Sequence, residues 1–394
     1  MDAKQQAKLK DLIDQMRSYP SGALELPLPR RLSFEHPQEF WQGLAGNMNA
    51  TLDVLLEEGM PAANISKVLL EESSYGDLLR ELNISRTALE SMVLARRFMI
   101  SKAPIFTLRT SLCQRLDDME IGKHIPMMFI KPPYPTCYFE FGPAEDRRTS
   151  PYRVWAKGKL YTLEGAFITY HEDADGSLLS KEAKDAFELD FEKPLRCMEV
   201  SFTASPCAAQ PDGEDSVVMF DEGFYWSTYW TNDEQGVEST LERTIEFLKD
   251  RNTEIEPAAD NLRENMELLT KALLYLMTGN REKVPDNQQQ ELESRLASIQ
   301  NPVKRRKAEQ KLKRTYNRVL VGPNKPYVPL EQALDDTEHR TGVRPHFRRA
   351  HWSTRWSGKG KTVLKPVQIG LTLVNREALS DKDADSLVRD YDVF

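Results

Sequence analysis

The spacing of apolar residues changes twice along the chain, and a chain that moves from a helical period to a strand period and back combines helices with a sheet. Up to about residue 110 the period is helical. Trp41, Leu44, Met48, Leu52 and Leu55 recur at steps of three and four and so share one helix face. From about 111 to 235 the period is that of strands. Residues 198–203 alternate apolar and polar, the mark of a half-buried strand. Residues 137–141, 154–170 and 217–230 are rich in β-branched and aromatic side chains, and Asp175-Gly176 is a turn signal. From 236 to 318 the helical period returns. Val237, Leu241, Ile245 and Leu248 form one stripe, and Leu262, Met266, Leu269, Leu273 and Leu276 form another. Residues 280–290 are polar, contain Pro285 and read as a loop. The expected fold is α+β: an N-terminal helical region over 1–110, a core over 111–318 with a mainly antiparallel sheet and packed helices, and a small basic C-terminal unit over 319–394 with an acidic tail.

Charge divides the chain more sharply than composition does. Residues 301–365 hold 17 Lys and Arg against 5 Asp and Glu, a net +12 that leaves −20 for the remainder of a chain whose total is −8. An acidic body with one basic segment implies a polyanion partner for that segment or docking of the segment on the body. No apolar run approaches the ~20 residues of a membrane span, and the polar start of the chain lacks the apolar core of a signal peptide. The four cysteines, Cys113, Cys137, Cys197 and Cys207, form no C-x-x-C pair, so neither a disulfide framework nor a zinc site is expected. These features fit a cytoplasmic protein with reduced thiols, no metal, no cofactor and no membrane partner.

The most unusual local sequence joins Arg344, His346, Arg348, Arg349, His351 and Trp352, followed by Arg355, Trp356, Lys359 and Lys361. Guanidinium forks match phosphate, indole rings offer stacking surfaces to unpaired bases, and histidine moves protons near neutral pH. Three readings follow. The tryptophans are core anchors and the arginines pair with the body; or the stretch binds single-stranded RNA; or His346 and His351 are the acid and base of a metal-free ribonuclease while Arg348 and Arg349 hold the phosphate. A second basic run, from Lys304 through Arg318, sits on an expected helix and suits solvent as well as nucleic acid.

Other motifs carry less. The apolar segments flanking Asn83-Ile84-Ser85 suggest a helix pair with Ser85 or Thr87 as the cap of its second member, an arrangement that also admits a DNA-binding transcriptional regulator. Gly358-Lys359-Gly360-Lys361-Thr362 lacks the earlier glycine and the leading strand of a phosphate loop. Residues 171–175 read as an exposed hairpin turn rather than a metal site, and the aromatic cluster at 224–230 reads as sheet core.

The run from Arg344 to Trp352, with the glycine- and lysine-containing segment after it, resembles a signature of phage- and plasmid-borne proteins that include an anti-CRISPR directed at the type V-A CRISPR effector nuclease. Pro133-Tyr134-Pro135 before the strand at 137–141, and the helix at 272–276, resemble the same family. The resemblance implies a regulator of biogenesis: a protein that recognises the N-terminal polypeptide of its target as it is made and causes loss of the translating mRNA. RNA or the ribosome would then be a second partner. It does not say which residues bind the peptide.

Overall fold

The computed structural model describes residues 26–32, 39–73, 75–81, 85–122, 124–143, 152–156, 159–174, 176, 179, 181–206, 222–251, 259–277, 283–312, 315–324, 346–348, 350–369 and 372–374. Its centre is an eight-stranded sheet. The strands are β1 (Ile105–Leu108), β2 (Thr136–Phe141), β3 (Arg153–Ala156), β4 (Lys159–His171), β5 (Arg196–Pro206), β6 (Glu222–Trp230), β7 (Lys283–Asp286) and β8 (Arg318–Val321). They run in the order β6-β5-β4-β2-β1-β8-β7, with β3 paired to β4. The ladders are antiparallel except for β1, which is parallel to both β2 and β8.

The parallel pair β1–β2 needs a crossover, and the helix Thr110–Asp117 supplies it. β1 falls within the region read as helical, because four residues are too few to display a period. β7 replaces the loop read at 280–290. Pro285 is tolerated there because β7 ends the sheet order, where, among the described residues, no further strand asks for its missing amide.

Both faces of the sheet are covered. Among the described residues, five helices precede it or lie on it: α1 (Leu28–Arg31), α2 (Glu39–Glu57), α3 (Ala62–Lys67, continued by a π-helical turn Val68–Glu72), α4 (Gly76–Glu81) and α5 (Arg86–Ser101). On one face α5 buries Leu89, Val93, Leu94 and Phe98 with Tyr138 and Phe167. Each such side chain stabilises by roughly 1.5–3 kcal/mol. On the other face lie α6 (Thr110–Asp117), α8 (Val237–Arg251) and α9 (Ala259–Met277), with α7 (Lys181–Ala186) against α8. Phe139, Met198, Val200, Phe202, Trp226 and Trp230 pack there with Leu241, Ile245, Met266, Leu269 and Leu273. The two apolar stripes read in 236–276 thus face the sheet.

The alternation at 198–203 does form a strand, but not a half-buried one. Glu199, Ser201 and Thr203 point under α5 and are buried. Their polar atoms are satisfied between the layers. The Ser201 hydroxyl donates to Ser91 Oγ at 2.8 Å, and Thr203 Oγ1 lies 2.9 Å from the Tyr138 hydroxyl. Arg31 and Glu164, both fully buried, pair between α1 and β4 with Nη2–Oε2 2.6 Å.

Ser85 caps α5, accepting from the Ala88 amide at 3.1 Å; residues 82–84 of the expected helix pair lie outside the described residues. The arginines of α5 are engaged by carboxylates: Arg86 with Glu90, Arg96 with Asp53 and Arg97 with Glu199. A helix whose apolar face lies on a sheet and whose cations are paired has little left for a phosphate backbone, which weighs against the DNA-binding reading.

Burial pushes the Glu90 carboxyl up to about 7, against the Arg86 guanidinium and the Ser66 hydroxyl, which hold it down. A carboxyl that binds its proton more tightly when folded stabilises below its unfolded value of 4.5 and loses that contribution as pH rises toward 7. Stability is expected to fall by about 3 kcal/mol over that window from this group, at ~1.36 kcal/mol per unit. Chemical denaturation at stepped pH checks it: Glu90→Gln should flatten the profile, and a parallel profile would contradict the assignment.

Two helices, α10 (Gln288–Leu296) and α11 (Pro302–Leu312), bury no residue. The C-terminal part adds β9 (His346–Arg348) paired with β12 (Thr372–Val374), and β10 (His351–Ser357) paired with β11 (Val363–Ile369), both antiparallel. The β10–β11 hairpin is rooted in the core at Trp352, which is fully buried.

Candidate functional site

A cleft of about 650 Å³ opens where the hairpin root meets the helical face of the sheet. Its walls come from four places: the end of α6 and the segment after it (Asp117 to Gly122), α8 (Glu238, Leu241, Ile245), α9 (Arg263, Met266, Glu267, Lys271) and the first residue of β10, His351. The hairpin wall is held by main-chain bonds. The Glu120 amide donates to Ala350 O at 3.1 Å, and the Trp352 amide donates to Glu120 O at 3.0 Å. Gly122 is required beside them, since a Cβ there would sit 2.2 Å from Trp352 O.

The apolar part of the lining is Met119, Ile121, Leu241, Ile245 and Met266, and five carboxylates stand against one arginine and one lysine. Burial pushes the Asp117 carboxyl up, while the Tyr152 hydroxyl, which donates to its Oδ2 at 2.7 Å, and Lys271 hold it down. Burial pulls the Lys271 ammonium down; Glu267, with its Oε2 3.8 Å from Nζ, holds it up, as do Asp117 and Glu120. Among the described residues no three His, Cys, Asp or Glu groups converge as metal ligands would. The arrangement suits an organic cation set beside an apolar group. Anions are repelled.

The sequence cluster from Arg344 to Lys361 separates in space. Arg344 and Arg349 lie outside the described residues, and His346 and Arg348 are described as strand backbone in β9. His346 pairs with Val374, whereas His351 pairs with Ile369 on the other ladder and lines the acidic cleft. A phosphodiester approaching His351 would meet that negative field, which weighs against the acid–base pair of a ribonuclease. Trp352, at 0% exposure, has no face to offer a base; for this residue the core-anchor reading holds. Trp356 is 59% exposed, and Arg355, Lys359 and Lys361 are exposed around it. Among the described residues, Arg355, Lys359 and Lys361 show no ion pair.

Sequence reasoning did not find the cleft. Asp117, Asp118 and Glu120 stand at and just past the end of α6, Glu238 at the start of α8 and Glu267 within α9, and nothing in one dimension says that they meet.

The sequence profile of the AcrVA2-like family, described as the anti-CRISPR type V subtype A2 family, matches residues 106–375. No curated protein matches the chain significantly. Among solved structures, the crystal structure of AcrVA2 is similar at 13% identity over 84% of this chain and 99% of that chain, with a TM-score of 0.35. The matched stretch begins in β1, ends just past β12, and takes in the sheet, the acidic cleft and the basic hairpin. It spans well over half of the chain, and on that ground the chain belongs to the anti-CRISPR type V subtype A2 family.

Proposed function

We propose that this protein holds the N-terminal peptide of a target protein in the acidic cleft and lowers the target's expression through loss of its translating mRNA, the target being a type V-A CRISPR effector. One observation carries the peptide assignment: carboxylates from the end of α6 and the segment after it, from α8 and from α9 line, together with apolar side chains, a cleft of about 650 Å³. A newly made N-terminus offers an apolar initiator side chain and, with its amino group or a nearby Lys or Arg, a positive charge. Sites that take such ligands combine an apolar floor with a few placed charges. Membership of an anti-CRISPR family supports a component of the CRISPR machinery as the target.

Calorimetric titration with synthetic peptides of about ten residues from the effector N-terminus tests the binding half. Affinity is expected to fall with salt and on acidification, because protonated carboxylates no longer attract a cation. The loss should begin above the ordinary carboxylate range, since Asp117 is shifted up by burial. Equal binding of N-terminal and internal effector peptides, or binding insensitive to pH, would count against the cleft as the recognition site.

A further inference from the structure

We propose that the outer half of the β10–β11 hairpin is an arm that holds single-stranded RNA, with Trp356 stacking on a base and Arg355, Lys359 and Lys361 taking phosphates. This goes beyond the peptide reading and does not depend on what fills the cleft. Residues 351–369 carry four cations, Arg355, Lys359, Lys361 and Lys365, and no carboxylate, in a chain of net charge −8. All four are exposed. The rest of the chain is net acidic, and among the described residues these four cations show no ion pair, so the hairpin marks a surface for a polyanion.

The two tryptophans of β10 lie on one face of the strand by its period of two, yet they differ completely. Trp352 anchors the root, and Trp356, opposite Leu364, lies open. An exposed indole next to exposed cations is the pairing that single-stranded nucleic acid uses, base on ring and phosphate on ammonium. A duplex hides its base faces, and one ring with Val363 among four cations is too little apolar area to hold a membrane surface.

The tip is built to present lysines. Gly358 and Gly360 take left-handed backbone, with φ of 83° and 79°, and Lys361 does so as well, at 53°. The turn is closed by the Lys361 amide donating to Gly358 O at 3.0 Å and by the Ser357 hydroxyl donating to Val363 O at 3.1 Å. Glycine would be the unstrained choice at 361, so a lysine held there points to use of its side chain. From His351 to Ser357 the strand advances about 20 Å, which is more than two screening lengths at physiological salt. The acidic cleft at the root therefore does little to repel RNA at the tip.

The test is fluorescence anisotropy of the full chain with a labelled twelve-residue oligouridine. Three to four phosphate contacts give a log–log salt slope of about −2 to −3, so affinity should fall roughly 15- to 60-fold between 50 and 200 mM salt. Lys361→Gly relieves the backbone, so it should leave the melting temperature unchanged or raise it while making the slope shallower by about 0.7. Trp356→Ala should weaken binding about 5- to 150-fold with the slope unchanged. Salt-independent binding would overturn the proposal. So would two stably folded variants that bind as the parent does, or duplex RNA bound as tightly as the single strand.

Discussion

Replacing Glu199 by alanine is expected to cost about 3–5 kcal/mol of stability, the range for removing one partner of a buried charge pair. The carboxylate is fully buried in the middle of β5 and receives four donors. Ala62 N lies 2.7 Å from Oε1 and the Tyr225 hydroxyl 2.6 Å from it, while Arg97 Nη1 lies 3.0 Å and His171 Nε2 2.8 Å from Oε2. Those donors come from the start of α3, from α5, from β4 and from β6, so one side chain ties the N-terminal helices to the sheet. Its loss leaves Arg97 without its carboxylate partner, with the Met60 carbonyl still accepting from Nη2, and leaves the first amide of α3 without its acceptor. Burial alone would raise the carboxyl's pKa, but His171, Arg97 and Tyr225 overcome it and hold it below the ordinary value. A depressed carboxylate stabilises above its unfolded pKa, and that contribution disappears as pH falls through the folded value. The destabilisation should therefore be complete at neutral pH and shrink in strong acid. Guanidinium denaturation of Glu199→Ala checks this; a loss below 1 kcal/mol at pH 7 would mean that the network contributes little.

The second large effect concerns the cleft. Neutralising two of its carboxylates, Glu238→Gln with Glu267→Gln, removes charge while keeping side-chain size. If each carboxylate accepts a hydrogen bond from a charged peptide group, each change costs about 1.5–3 kcal/mol, roughly a factor of ten to a hundred in affinity. The pair should then abolish reduction of the target in cells while the melting temperature stays near that of the parent. Glu267 also faces Lys271, so Glu267→Gln alone should lower the ammonium's pKa further. Full activity of the double variant would move the peptide site elsewhere on the molecule.

The layers of this fold were legible because long elements display their period. The stripes Val237–Leu241–Ile245 and Met266–Leu269–Leu273 face the sheet as their spacing requires. The strand at 198–203 was equally clear, but its environment was not. Glu199 and Ser201 look like solvent-facing positions until Arg97 and Ser91 of α5 are placed above them. β1 and β7 were hidden by length and by Pro285. The cleft was hidden for a different reason: Asp117, Glu238 and Glu267 are far apart in the chain and come together only through the packing of α6, α8 and α9. The basic cluster, by contrast, was visible as a string, but Trp352 and Trp356 share a strand face and differ only in distance from the core, which buries Trp352 at the hairpin root and leaves Trp356 open toward the tip.

The most direct measurement co-expresses this chain with a type V-A effector and follows effector mRNA from two genes, one intact and one with its start codon removed so that no peptide is made. Recognition of the nascent N-terminus requires the intact message to fall several-fold and the untranslated one to stay level. Equal loss of both messages, or no loss of either while the finished effector is still inhibited, would contradict it.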